Sequence, residues 1–260
     1  MKKIIITMTL VAVLVVSLLP GCSMVGKGTV TEEKKFADFT RVYLGGSFEV
    51  EITQADSFSI VVTTRSDLLD YIIVSQEGEI LRVYLNPRNP FTDFTAISKS
   101  FKAKITMPVL TELRVSGIAD VTVKGFKSAN NFNLEESGAS SLDIGKMEAG
   151  DTEFKISGAS KLSGDLKAAG AKFEVSGASI IELDGSTENL VLSASGASKA
   201  SLANFSTNAT SVNLSGDSEA TIFVKEKLDV VLTDASRLYF KGNPTMGTTI
   251  ISDASTIKHQ

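Results

Sequence analysis

The 260-residue chain contains no tryptophan, one histidine, one cysteine and five prolines. The histidine is His259, one residue from the end at Gln260. A catalytic triad or a histidine-ligated metal centre would have to be assembled on a terminus, so neither a metal nor a cofactor is expected. The lone cysteine, Cys22, has no partner within the chain, which excludes an internal disulfide framework. Positive charge is not in excess: the net charge is -4. Without a clustered field of Lys and Arg to displace counterions from phosphates, nucleic acid is excluded as a partner. Apolar residues, by contrast, are plentiful. With 43% hydrophobic and 22% charged residues, the chain is globular and able to bury a core, in one or two domains.

Lys2 and Lys3 precede an apolar run from Ile4 to Leu19 that only Thr7, Thr9 and Ser17 dilute. A charged stretch followed by a hydrophobic one is the order of an export signal. Its 16 apolar-run residues fall short of the ~20 that a membrane-spanning helix needs. The run closes on Leu19, Pro20, Gly21 and Cys22, which resembles the lipobox of bacterial lipoproteins. There a small residue precedes a cysteine that is lipidated and becomes the mature N-terminus; Pro20 departs from the usual pattern. Residues 1–21 are therefore expected to be a removed signal and Cys22 the lipid-bearing residue that ties the chain to a membrane. Residues 22–35, with the polar stretch GKGTVTEEKK, are expected to be a flexible tether. The location implied is extracytoplasmic, lipid-anchored to the bacterial cell membrane or envelope.

The segment SGAS occurs at Ser137 to Ser140, Ser157 to Ser160, Ser176 to Ser179 and Ser195 to Ser198. With its first serine as reference, the equivalent positions are Ser116, Ser137, Ser157, Ser176, Ser195, Ser215, Thr233 and Ser252, spaced by 18 to 21 residues. Such a period marks a solenoid, whose units bury their apolar faces only by stacking on one another. Three residues before the reference stand Leu113, Leu134, Phe154, Phe173, Leu192, Val212, Val230 and Thr249. One before it stand Val115, Glu136, Ile156, Val175, Ala194, Leu214, Leu232 and Ile251. Five after it come Val121, Leu142, Leu162, Ile181, Ala200, Ala220, Leu238 and Ile257. Apolar residues two apart, with polar residues between, are strand periodicity. In these three columns only Glu136 and Thr249 are polar. The expected fold is all-β: a parallel β-solenoid (β-helix) of coils of about 19–20 residues, right-handed by the crossover preference of parallel strands. Each coil carries at least two strands, with room for a third face, and eight coils stack to about 40 Å.

SGAS itself reads as the bend between strands. Its second column holds Gly117, Gly138, Gly158, Gly177, Gly196 and Gly216, then Asp234 and Asp253. Glycine, and failing it Asp, best tolerates left-handed backbone, so these residues are expected to be structural corners. The next column is mostly alanine and is expected to point into the cramped inside of the bend. The flanking serines close polar backbone groups there. Outward charges such as Glu135, Lys155 and Glu174 read as a solvated face.

Before the repeats, VYLGGSFEVEI, FSIVVTT, ILRVYL and FKAKITM read as strands. Residues 36–114 are expected to form irregular N-terminal coils that cap the stack, continuous with the regular repeats of 115–260 in one domain. The connection from Asn86 to Ser100 carries Phe91 and Phe94 and is a candidate binding loop.

An exported N-terminus, the opening FTRVYLGGSFEVEITQ, the strand ending ITMPVLTELRVSG and the serial SGAS coils together resemble the GIN-domain family of autotransporter-adhesin head domains. The resemblance covers Phe36 to Lys258. It implies an all-β stacked-coil fold and an adhesion role, and it carries over no catalytic residues. The functional expectation is a lipid-anchored adhesion or interaction scaffold, not an enzyme, that meets a protein or polysaccharide of the envelope. Two alternatives stand beside it. One is a polysaccharide-acting enzyme, for which Asp217, Asp234 and Asp253, or Asp143 and Glu182 across Ser163, would have to hold calcium or do acid–base work. The other is self-assembly into a homo-oligomer through an open strand edge at the C-terminal coil.

Overall fold

The computed structural model describes residues 28–86 and 101–260. Up to the first regular corner the chain forms β1 (Thr29–Lys34), β2 (Arg41–Gly46), β3 (Glu49–Gln54), β4 (Ser59–Arg65), β5 (Ile72–Glu77), β6 (Ile80–Leu85), β7 (Lys102–Met107) and β8 (Glu112–Gly117). A short 3-10 helix, Ser66–Tyr71, links β4 to β5. The repeats continue as β9 (Asp120–Lys124), β10 (Phe132–Glu136), β11 (Ser141–Ala149), β12 (Thr152–Ile156), β13 (Lys161–Ala168) and β14 (Gly170–Val175). The last are β15 (Ile180–Ala194), β16 (Lys199–Leu214), β17 (Glu219–Leu232), β18 (Arg237–Lys241), β19 (Thr245–Ile251) and β20 (Thr256–His259).

These strands wind a parallel β-solenoid of about seven turns, delimited by the corners from Gly117 to Asp253. Strands that precede a corner stack as a first sheet in the order β2, β8, β10, β12, β14, then the later halves of β15, β16 and β17, then β19. Strands that come after a corner stack as a second sheet: β3, β9, β11, β13, the early halves of β15, β16 and β17, then β18 and β20. The third face anticipated from the variable stretch exists. Lys146 to Ala149 of β11 pair with Asp165 to Ala168 of β13, and Asp184 to Thr187 of β15 with Asn204 to Thr207 of β16.

The core follows from the column pattern. Register is in phase, so Leu134 lies on Leu113 and below Phe154, and Phe154 lies below Phe173. The rings of Phe132, Phe154, Phe173 and Phe205 form a chain with centroid separations of 5.7, 5.1 and 5.8 Å. Each such buried aromatic or aliphatic residue contributes about 1.5–3 kcal/mol, and no coil could obtain this without its neighbours.

Three expectations are corrected. The alanine column does not point inward. Ala139, Ala159, Ala178 and Ala197 are exposed, whereas Ser140, Ser160, Ser179 and Ser198, the last serine of each SGAS, are at most 4% exposed. The carbonyls inside the bend each accept a backbone N–H from the next coil, and a hydroxyl turned inward can donate to their second lone pair where a methyl cannot. Ser179 donates to Gly158 O at 3.3 Å, and Ser198 to Val175 O at 3.4 Å. Secondly, the expected tether reaches too far: Thr29–Lys34 is β1, paired antiparallel with β4 from Thr29 on Arg65 to Lys34 on Ile60. Thirdly, the N-terminal segment is not simply irregular coils. β2 and β3 make a coil in register with β8 and β9 around a further corner at Gly46. β6 and β7 add another below it, and the antiparallel strands β5, β4 and β1 then cover that edge. Antiparallel cover ends the coil-on-coil register and so caps the stack.

Candidate functional site

Because coils are in register, each outward position becomes a row that crosses the strands. The row through Tyr43 runs Arg82, Tyr43, Arg114, Glu135, Lys155, Glu174 across β6, β2, β8, β10, β12 and β14. Arg82 and Arg114 come from the strands that flank β2. Their guanidinium carbons stand 4.9 and 4.7 Å from the Tyr43 ring centre, each contact contributing about 0.5–1 kcal/mol at an exposed site. The Tyr43 hydroxyl donates to Glu112 Oε1 at 3.0 Å, and Arg114 Nε donates to the same oxygen at 2.6 Å. Burial, then the carboxylate of Glu112, holds the Tyr43 hydroxyl above the usual phenol value, and the hydrogen bond to Glu112 raises Arg114 likewise. Tyr43 therefore keeps its proton and Arg114 its charge at neutral pH.

Two residues further along the strands the row reads Tyr84, Gly45, Ser116. Gly45 leaves a gap between a phenol and a hydroxyl; a Cβ there would stand 3.5 Å from Tyr84 Cβ and 3.4 Å from Ser116 Oγ. The gap opens a pocket of about 480 Å3 lined by Tyr43, Gly45, Arg82, Tyr84, Arg114 and Ser116, with Glu135 and Ser137 beside them. A larger depression of about 710 Å3 on the third face, near Lys167, Ser186, Asn208 and Lys225, has no aromatic wall. Apolar walls with a few fixed polar groups are what a small-ligand site needs, and the first-sheet pocket has both.

The corner residues anticipated from sequence line one edge of the stack. Gly117, Gly138, Gly158, Gly177, Gly196 and Gly216 have φ between 70° and 96°, and Asp234 and Asp253 have φ of 65° and 57°. The aspartates reach back along that edge. Asp234 Oδ2 accepts the Gly216 N–H at 2.9 Å, and Asp253 Oδ2 accepts the Asp234 N–H at 3.3 Å. Asp217 pairs with Arg237 at 2.9 Å. Asp143 and Glu182 do lie in one column across Ser163, but each is engaged: Asp143 accepts the Gly145 N–H at 2.8 Å, and Glu182 pairs with Lys161 at 2.7 Å. Cys22, Phe91 and Phe94 lie outside the described residues.

Sequence reading missed Tyr43, Tyr84, Arg82 and Arg114. A signal was available: RVYL occurs twice, at Arg41 to Leu44 and at Arg82 to Leu85. The two copies pair with an offset of two residues, so that Tyr43 faces Arg82 and Tyr84 faces Gly45. Glu136, noted as a polar break, is 0% exposed, and burial pushes its carboxyl up to about 7.

Comparison with known proteins agrees with this architecture. The family model described as "Putative auto-transporter adhesin, head GIN domain" matches residues 38–244. No curated protein matches the chain. Among solved structures, a putative lipid binding protein from Parabacteroides distasonis is similar at a TM-score of 0.81 and 19% identity, over 89% of this chain and 96% of that one. A putative adhesin from Parabacteroides merdae gives 0.82 and 17%, over 89% and 96%. Another from Parabacteroides distasonis gives 0.80 and 16%, over 90% and 97%. At these identities the likeness is one of fold, while the family match spans most of the sequence, and the chain belongs to the GIN-domain family of adhesin heads.

Proposed function

We propose that this chain is a lipid-anchored, extracytoplasmic adhesion module. Cys22 holds it to the membrane, and the outer face of its first sheet meets a protein or polysaccharide of the cell envelope without catalysis. The observation that carries this reading is the pocket around Gly45, where the repeat gives way to Tyr43, Tyr84, Arg82 and Arg114. Rigid aromatic and arginine side chains are the groups that anchor interfaces. The engagement of Asp143 and Glu182 with other partners weighs against acid–base chemistry, and the family's adhesin description supports surface attachment.

The test uses the full chain in a bacterial host. Fatty-acid labelling should mark the wild type and not Cys22→Ala, and cells displaying the wild type should adhere to envelope-coated surfaces more than Arg114→Ala cells do. Equal labelling removes the anchor. Equal adhesion removes the first-sheet face, and depolymerisation of a glycan by the purified chain would replace adhesion by catalysis.

A second reading, self-association, is favoured by β19. It carries no charged residue, and Met246, Ile250 and Ile251 are 41%, 53% and 41% exposed. Neutral apolar edge strands are templates for pairing. Light scattering of the full chain in detergent that finds one copy per micelle at high concentration rules it out.

A further inference from the structure

The pocket beside Gly45 is chemically narrower than a general docking face. We propose that it binds an uncharged pyranose unit of a polysaccharide, an assignment that rests on the first sheet being the binding face.

A sugar ring offers two surfaces at once, a C–H face and a rim of hydroxyls that both donate and accept. Tyr84, half-buried, supplies the flat apolar wall for the first, because Gly45 beside it carries no side chain that would cover the ring. For the rim the pocket supplies both polarities. Arg114 Nε donates to Glu112 at 2.6 Å and stands 3.5 Å from Glu135 in an ion pair, and among the described residues neither terminal amine makes a hydrogen bond, so both can donate. Glu135 is an exposed acceptor, its side chain 55% accessible. The Ser116 hydroxyl donates to Leu44 O at 3.2 Å and keeps lone pairs to accept with.

Charge decides between a neutral and an acidic sugar. Arg114 is paired with Glu112 at 2.6 Å and Glu135 at 3.5 Å, and Arg82 with Glu77 at 3.4 Å. A carboxylated sugar would gain one guanidinium only by approaching those carboxylates. A wholly apolar ligand would strip water from the terminal amines of Arg114 and offer them no acceptor, which is costly. A hydroxylated neutral ring does neither. The walls are already fixed: Tyr43 stands between two guanidiniums, and every lining residue lies on or beside a paired strand, so little ordering remains to be paid on binding.

The full chain in detergent micelles is titrated by calorimetry with soluble glucan, mannan, galactan and xylan, and with polygalacturonate and heparin as anionic probes. Binding to at least one neutral polymer is expected, nearly unchanged between low and high salt. Tyr84→Ala should weaken it by about tenfold or more, and Tyr84→Phe should retain it. Gly45→Val fills the pocket at a strand position where a Cβ makes only ordinary contacts. It should therefore abolish binding while its thermal unfolding stays close to that of the wild type. Binding of the anionic polymers alone with steep salt dependence, neutral binding indifferent to Gly45→Val, or no binding across the panel each overturns the proposal. If the panel fails while displayed cells still adhere through Arg114, the sugar is wrong and the adhesion reading stands; if adhesion also fails, both fall.

Discussion

Replacing Glu136 by glutamine is expected to stabilise the solenoid at neutral and alkaline pH and to flatten its stability profile between 4.5 and about 7. Glu136 stands where Val115 and Ile156 stand in the adjoining coils, fully buried on β10 between β8 and β12. Its Oε1 accepts the Ser140 hydroxyl at 2.8 Å, and Ser140 and Ser160 hydroxyls are 3.3 Å apart. Oε2 is buried with no hydrogen-bond partner among the described residues. Burial raises the carboxyl from 4.5 to about 7, and the Ser140 bond offsets only part of that. The folded state therefore holds a proton that the unfolded chain releases. Below 4.5 both states are protonated and the group adds no pH dependence. As pH rises toward 7 the folded state binds more protons than the unfolded one, so stability falls; beyond 7 the full cost remains. The interval corresponds to roughly 3 kcal/mol.

Urea unfolding of wild type, Glu136→Gln and Glu136→Ile at pH 5 and pH 8 measures this directly. The outward charges Arg114, Glu135 and Lys155 are common to all three proteins and cancel in the comparison. Wild type should lose about 2–3 kcal/mol more than either variant between the two conditions, and Glu136→Ile should match Glu136→Gln in its pH profile. Parallel profiles for wild type and Glu136→Gln would mean that the carboxyl titrates near its unfolded value, and the placement of Glu136 in a dry core would be refuted.

Gly177→Ala should destabilise by more than the ~1–2 kcal/mol that left-handed backbone costs an alanine, because its φ is 75° and a Cβ would stand 2.5 Å from Gly158 O; a urea midpoint equal to wild type would contradict the corner geometry. Asp234→Gly should be nearly neutral. Asp234→Ala should cost about 1–2 kcal/mol, since alanine keeps the strained backbone and loses the 2.9 Å bond to Gly216 N; thermal unfolding of the pair distinguishes them. Phe154→Ala opens a cavity between rings 5.7 and 5.1 Å away and should cost about 3–5 kcal/mol by denaturant unfolding.

The repeats were legible because stacking forces like onto like. A parallel in-register solenoid turns every structural requirement into a column, so the left-handed corner showed itself as glycine giving way to Asp234 and Asp253. What a column does not reveal is direction. Alanine and serine are both small, and composition could not tell that Ser179 turns in to a carbonyl while Ala178 turns out. The N-terminal strands were legible as strands and not as topology. Between the β2–β3 coil and the return of β8 to its register the chain builds most of the cap, and spacing statistics cannot see a coil whose neighbour lies that far along the chain. β1 was hidden for another reason: TVTEEK is polar at nearly every position because it lies on an outer edge and buries little.

Those same limits explain why the candidate site escaped the column reading. In the regular coils the serine row presents nearly the same surface to solvent turn after turn, and a surface that repeats cannot hold one ligand at one place. Recognition needs a position where the rows stop being equivalent. The register of β2 on β6 supplies it, since an offset of two residues between the RVYL copies sets Tyr84 against Gly45 and Tyr43 against Arg82. The offset falls where the strand on the other side of β6 is the antiparallel β5 and not, among the described residues, another coil. The cap thus does two things with one departure from the pattern: it ends the stack, and it sets Tyr43 and Tyr84 beside Arg82 and Gly45 in the adjoining rows.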